Sequence, residues 1–220
     1  MIELLVVLAI TSIIMAGIYR VFVSQTKTYA VQDQVMEVQQ SVRGAMEILL
    51  RDLRMTGFDD DNPNSDVTIA NPLAPVQTSD ITINYEYYDR SLVGTEAQRY
   101  QSHLVRYWRD DGTSRLMRKL TVDAVARPDE IILDNVDALT FTYGVDRDNN
   151  GIMDDQNGNG QIDTNDWLSA AQVVALGNPK VVAINVSLTG RSDQTNIDVS
   201  KMISPRTLVS AVTLRNLSLR

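Results

Sequence analysis

The sequence predicts an α+β protein, with one long N-terminal α-helix, hydrophobic in its first half, packed through its second half on an antiparallel β-sheet head. Three observations predict it. An unbroken apolar run opens the chain, a repeat of three to four residues continues as far as Leu53, and from Asp80 onward the repeat shortens to two. The chain divides accordingly into a hydrophobic helix over 1–25, its amphipathic continuation over 26–57 and a β-rich head over 58–220.

Between Leu4 and Tyr19 only Thr11 and Ser12 are polar. With Met1, Ile2 and the flank Val21-Phe22-Val23, the run reaches the roughly 20 residues a membrane-spanning helix needs. A secretory signal peptide fits poorly, because no basic segment precedes the run and no small-x-small cleavage site follows it. The helical pattern simply continues, with apolar residues at Val31, Val35, Val38, Val42, Ala45, Leu49 and Leu53 and polar residues on the other faces. Gly57, just behind Arg51 and Arg54, reads as the helix stop. A helix over residues 1–56 would be on the order of 80 Å long. Its first half is apolar on every side, so it is stable only in lipid or against copies of itself. Glu3 at its edge has two readings. A carboxylate carried to mid-bilayer costs about 2.5–3.5 kcal/mol and is a functional candidate by default. A carboxylate in the first helical turn is also favoured by the helix dipole and can lie in the headgroup zone.

The head alternates. "ITINYEYY" puts Ile81, Ile83, Tyr85 and Tyr87 on one face, and "HLVRYWRDDGTSRLMRKL" is a hairpin turning at Asp110-Asp111-Gly112. "DALTFTYGV" aligns Leu139, Phe141 and Tyr143, "KVVAINVSLTG" aligns Val182, Ile184, Val186 and Leu188, and "RTLVSAVTLRNLSL" is a closing strand. The stretch "DDDNPNSD" at 59–66 is a polar, turn-rich connector.

The strongest chemical signal is "DRDNNGIMDDQNGNGQIDTNDW". With Asp155 at position one of a calcium loop, Asp155, Asn157 and Asn159 take positions one, three and five, and Gly160 makes the turn at six. Gln161 offers its carbonyl at seven, Ile162 is the expected apolar anchor at eight, Asp163 sits at nine, and Asp166 takes twelve. A second, weaker register starts nine residues earlier, with Asp146, Asp148, Asn150, Gly151, Ile152 and Asp154, and ends on Asn157. The overlap resembles the tandem aspartate loops of thrombospondin-type repeats more than an EF-hand. Oxygen donors without His or Cys favour calcium, one ion or two, in a structural role. A weak site of about 10⁻⁴–10⁻³ M would fill outside the cell. The bland alternative is a solvated Asp/Asn/Gly loop.

Composition excludes several classes. A net charge of −8 opposes binding to nucleic acid, and six aspartates against one arginine between Asp146 and Asp166 place −5 of it in one loop. With no cysteine there is no thiol catalysis, Cys-ligated zinc or disulfide framework. His103 is the one histidine and reads as packing; Asp110-Asp111 belongs to a turn, and Trp108 and Trp167 read as packing residues. Nothing here suggests an enzyme.

"IELLVVLAITSII" resembles the mature N-terminus of type IV pilins and type II secretion pseudopilins, which begin with a Phe-Thr-Leu-Ile-Glu-Leu-like run. "EILLRDLRMTGFDD" and "LVSAVTLRNL" resemble the helix exit and closing strand of PilW-type minor pilins, while the stretch between Asp59 and Pro205 matches loosely. The resemblance implies a pilin-like fold and a non-catalytic filament subunit. Glu3 would be the assembly residue, pairing with the N-terminal amine of a neighbouring subunit. It also implies a single-pass inner-membrane protein with its head outside the cytoplasm, later part of an extracellular pilus. Its partners would be other pilins and the assembly machinery. The Gly-Phe-Thr that precedes the run in the family is missing, so the leader cleavage site and the methylated first residue are not seen. The sequence is therefore expected to be truncated or to carry a miscalled start at Met1. The helix proline of many major pilins is also absent, Tyr19-Arg20-Val21 standing in that region. Two rivals remain: a type II secretion pseudopilin, and a membrane-anchored calcium-binding receptor or adhesin that never polymerises.

Overall fold

The computed structural model describes residues 2–177, 179–192 and 203–218; Met1, where the sequence expectation about the chain start falls, and Leu219 lie outside them. Helix α1 spans Ile2–Arg54 without a break. It leaves the helical path where the sequence places the stop. Met55 and Thr56 donate to the carbonyls of Asp52 and Leu53 at 3.0 and 3.1 Å, and the Asn216 amide donates to the carbonyls of Arg54 and Thr56 at 3.3 and 3.2 Å. Carbonyls that the helix itself cannot satisfy thus find partners. Gly57 then turns with φ +70, and a Cβ there would meet Leu217 Cδ2 at 2.5 Å. Both facts reserve the position for glycine.

Among the described residues eight strands follow: β1 Asp80–Tyr88, β2 Tyr100–Asp110, β3 Arg115–Val122, β4 Val125–Ala126, β5 Glu130–Leu133, β6 Val136–Asp146, β7 Lys180–Gly190 and β8 Arg206–Thr213. They form two antiparallel sheets where the sequence suggested one. The first runs β1-β2-β3-β4 with β5 also on β3, and the second runs β6-β7-β8. The break falls at Asp134-Asn135, where Asn135 adopts φ +56 and the chain passes from β5 into β6. The sheets stay in touch through Arg109, whose Nε donates to the Val136 carbonyl at 2.9 Å, and the segment leading into β1 is tied to the second sheet by Phe141 N–H to Thr78 O at 2.7 Å. The β2–β3 hairpin turns as expected after Asp110, which pairs with Arg115. The closing strand stops at Thr213, and Arg215–Ser218 forms a turn of helix instead of extending it.

One continuous core joins the helix and both sheets. From α1 it takes Val38, Val42, Ala45, Met46, Leu49, Leu50 and Leu53; from the sheets it takes Ile81, Ile83, Tyr107, Phe141, Tyr143, Ile184, Val186 and Leu188, among others. Each buried aliphatic or aromatic side chain contributes about 1.5–3 kcal/mol. Full burial along the helix starts at Val38, with Val31 and Val35 only half-buried, so the projecting part of α1 is longer than the stripe suggested. The alternation of β1 also breaks at its end: Tyr87 is exposed and Glu86 is buried. Glu86 turns inward because it holds the connector. Its carboxylate accepts the Asp60 N–H at 2.7 Å and the Ser65 hydroxyl. A carboxylate in the core thereby fixes a segment that its own composition would leave loose.

A second buried acid fastens the helix to the first sheet. Asp52 accepts from the Tyr107 hydroxyl at 2.7 Å and pairs with Arg118 Nε at 2.9 Å, and Arg118 also reaches Glu130 at 2.9 Å. Burial, and then the nearby Asp52 carboxylate, push the Tyr85 phenol up to about 12; burial does the same to Tyr143. Both folded values lie above the unfolded value of about 10. Their contribution to stability is therefore intact below pH ~10 and is lost as pH rises through ~12. In an alkaline titration of the folded chain, part of the phenolate absorbance of the eight tyrosines should appear only near pH 12 or together with unfolding. Complete ionisation near pH ~10 with the fold intact would contradict this burial.

Candidate functional site

The acidic segment leaves the end of β6 and returns to the same strand. Leu168 and Tyr143 exchange N–H···O bonds at 2.9 and 2.8 Å, and Asp154 N–H donates to Val145 O at 2.8 Å. The loop is therefore closed at its base. Behind it, Ser169 and Gln172 form a capping box that starts the short helix α2, Ala170–Ala175. That Ser-x-x-Gln signal is visible in the sequence.

Within the loop the two registers fold as repeats. At position six, Gly151 and Gly160 both have φ +83; at position four, Asn149 and Gly158 have φ +59 and +71. At position one, Asp146 accepts the N–H groups of Asn150 and Gly151 at 3.1 and 2.9 Å. Asp155 likewise accepts those of Gly158 and Gly160 at 2.7 and 2.5 Å. At position three, Asp148 and Asn157 each accept the N–H two residues on, at 3.2 and 2.9 Å. At position five, Asn150 and Asn159 do the same, to Ile152 at 2.7 Å and Gln161 at 2.8 Å. The nine-residue spacing is thus a structural period.

The carboxylates that converge belong to the second register. Oxygens of Asp146, Asp148 and Asp154 lie within 4.8 Å of one another, and among the described residues they are the one group of three acids so placed. Asp146 is buried at the foot of the loop, with Lys180 Nζ 4.0 Å from its carboxylate, while Arg147 pairs with Asp154 at 3.1 Å. In the first register, Asp163 accepts the Asn159 amide at 2.9 Å and the Asn165 N–H at 2.7 Å. Asp166, fully buried, uses one oxygen for Gln156 N–H at 2.7 Å and Asn157 N–H at 3.3 Å, and the other for Asp163 N–H at 2.6 Å. It staples the loop closed from inside. Ile162 is not the anchor expected at position eight, being 49% exposed. Met153, at position eight of the other register, takes that role: it packs so closely over Gly144 that a Cβ there would lie 2.5 Å from its Sδ.

Three of the loop carboxylates, Asp146, Asp155 and Asp163, are held in their charged form. For Asp155 the donated N–H of Gly160 is the main cause; for Asp163 it is that of Asn165. Burial pushes the Asp146 carboxyl up, but the Gly151 N–H, Asp148, the Asn150 N–H and Lys180 together bring it below its ordinary value. A hard cation bonded at 2.3–2.6 Å can bridge oxygens up to about 5 Å apart, so the trio fits such an ion, and carboxylate, amide and carbonyl oxygens are the donors it takes.

His103 is a packing residue, stacked on Tyr87 at 4.8 Å and tilted against Tyr85 at 5.4 Å, with burial holding its basicity below the ordinary value. The Asp52–Arg118–Tyr107 cluster escaped the sequence reading because its members lie up to 66 residues apart with no local pattern.

The other end of the molecule is the rod. Its most apolar 18-residue window has a mean hydropathy of 2.3 and none of it is buried. Glu3 lies exposed in the first turn of this helix.

A search of the solved structures finds a type IV-like pilin from Thermus thermophilus with 11% identity and a TM-score of 0.45, covering 81% of this chain and 97% of that one. Among curated proteins no match was found. The family model described as Type IV Pilus-assembly protein W matches residues 106–215, half of the chain, from the second strand through the closing turn. The chain belongs to the type IV pilus-assembly protein W family.

Proposed function

We propose that this chain is a minor pilin, held in the inner membrane by the first half of α1 with its head outside the cytoplasm, and then drawn into a type IV pilus as part of the priming or tip complex. The observation that carries this reading is the contrast within a single helix. Its Val38–Leu53 portion belongs to the core, whereas none of the apolar window of the same helix is buried among the described residues. Such a surface costs about 25 cal/mol per Å² when left in water, so it needs lipid or the helices of other pilins. Membership of the pilus-assembly family supports the second partner after the first. The role is structural and not enzymatic.

Glu3 is the assembly residue in this reading, satisfied by the N-terminal amine of a neighbouring subunit. With the chromosomal copy changed to Glu3→Gln, the protein should still reach the membrane at normal abundance while surface pili fall by an order of magnitude or more, because the neighbouring subunit's amine is then left in the helix bundle without its charge partner, at a cost of about 3–5 kcal/mol. Immunoblots of membrane fractions and counts of surface filaments measure both. Normal piliation in the variant would make the rod a simple anchor, as in a receptor or adhesin. Lost protein secretion with intact pili would make the chain a pseudopilin.

The loop over 146–166 takes calcium in this reading. Asp146, Asp148, Asn150, the Ile152 carbonyl and Asp154 would hold one ion; Asp155, Asn157, Asn159, the Gln161 carbonyl, Asp163 and Asp166 would hold a second. The convergence of Asp146, Asp148 and Asp154 supports it, as does the repeated turn geometry. Bound there, calcium supplies charge neutralisation and a fixed loop, and no chemistry.

A further inference from the structure

The double turn contains three Asn–Gly bonds: Asn150–Gly151, Asn157–Gly158 and Asn159–Gly160. Such bonds are prone to cyclise, because glycine has no side chain to obstruct its own nitrogen. In that reaction the glycine nitrogen gives up its proton to solvent and bonds to the asparagine Cγ. The side-chain nitrogen leaves as ammonia, and a succinimide forms. Water then opens the ring at either carbonyl, leaving aspartate or isoaspartate. One water is consumed, one ammonia is released, one negative charge is gained, and no oxidant or reductant takes part.

All three asparagines are exposed to solvent. Their glycine nitrogens, however, are all engaged. Gly151 N–H donates to Asp146 at 2.9 Å, Gly158 N–H to one oxygen of Asp155 at 2.7 Å, and Gly160 N–H to the other at 2.5 Å. Each asparagine Oδ1 is held as well, by the N–H of Ile152, Asn159 or Gln161. An N–H facing a carboxylate is hard to deprotonate, since the anion left behind would sit against a negative charge. Its nitrogen is also not free to swing onto Cγ while the bond lasts.

We infer that the loop is a guarded self-modification site: Asp155 protects Asn157 and Asn159, Asp146 protects Asn150, and opening of either turn converts its asparagines to aspartate or isoaspartate. The substrate is the chain itself and the co-reactant is water. Each conversion adds one negative charge, irreversibly, to a loop that already carries −5. A turn that opens often is therefore driven further open by repulsion. The guards are carboxylates acting through N–H groups, so the inference does not depend on calcium.

The test incubates the full chain in detergent micelles at mildly alkaline pH, with chelator present, and follows each asparagine by peptide-resolved mass spectrometry. In Asp155→Ala, Asn157 and Asn159 should convert roughly tenfold faster or more, the worth of a hydrogen bond to a charged group, with Asn150 unchanged. Asp146→Ala should reverse that pattern. Asp155→Asn, which keeps one acceptor oxygen, should be intermediate. Asn150 is the internal control for general unfolding. Equal acceleration at all three sites in Asp155→Ala would overturn the inference, as would no acceleration, or a wild-type rate equal to that of the denatured chain.

Discussion

Replacing Arg118 with methionine lowers the stability of the head by about 3–5 kcal/mol, the usual cost of leaving one member of a buried ion pair alone. Asp52 sits on the inner face of α1 with its side chain 7% exposed, and Arg118 Nε approaches it at 2.9 Å. Without the guanidinium, the carboxylate keeps the Tyr107 hydroxyl and the exposed Arg51, 3.6 Å away, but loses its buried charged partner. A head of this size shifts its midpoint by about 2–4 °C per kcal/mol, so thermal unfolding of the full chain in micelles should fall by roughly 10 °C. Glu130→Gln removes the other partner of Arg118, which is 54% exposed, and should cost less than about 1 kcal/mol. Pairing Asp52→Leu with Arg118→Met should recover much of the loss, since a matched apolar pair often replaces a buried ion pair at little cost. A loss below about 1 kcal/mol in Arg118→Met alone would mean that the pair does not fasten the helix to the sheet.

Saturating calcium should stabilise the same chain by about 1.4–2.7 kcal/mol, the linkage expected for ligand at 10 to 100 times a Kd of 10⁻⁴–10⁻³ M. Melting with calcium and with excess chelator reads it directly. Asp146→Ala and Asp155→Ala separate the registers. Because the converging carboxylates are Asp146, Asp148 and Asp154, the first variant should remove the larger share of the shift. Equal midpoints at that saturating calcium and in chelator would leave the loop a self-bonded connector held by Asp166 and Arg147.

The long-range partners of these residues, more than the residues themselves, are what the sequence hides. The helix could be read from Val31 to Gly57 because its signals are local: a period, basic residues in the last turn and a glycine stop. The β2–β3 hairpin could be read from Asp110-Asp111-Gly112 for the same reason. The division into two sheets could not, since it depends on which distant strand β6 chooses, and alternation says only that a face is buried. Val31 and Val35 fit the stripe but are only half-buried, because a period does not say where the head begins. The repeated turns were legible as glycines at position six, and their φ values agree. That the second register would gather its carboxylates was not, because Asp146 owes its place to the end of a strand and to Lys180 across the sheet. Glu86 lies between Tyr85 and Tyr87, off the face that the alternation marks, and only the folded connector explains its burial.

The central claim is that the bare half of α1 ends up among other pilin helices. The most direct measurement is the recovery of this chain in filaments sheared from the surface of its own cells and separated from membranes. The chain should co-purify with the filaments in small amounts relative to the main subunit, and Glu3→Gln should leave it in the membrane fraction. A chain found only in membranes, with filaments formed equally well in its absence, would contradict it.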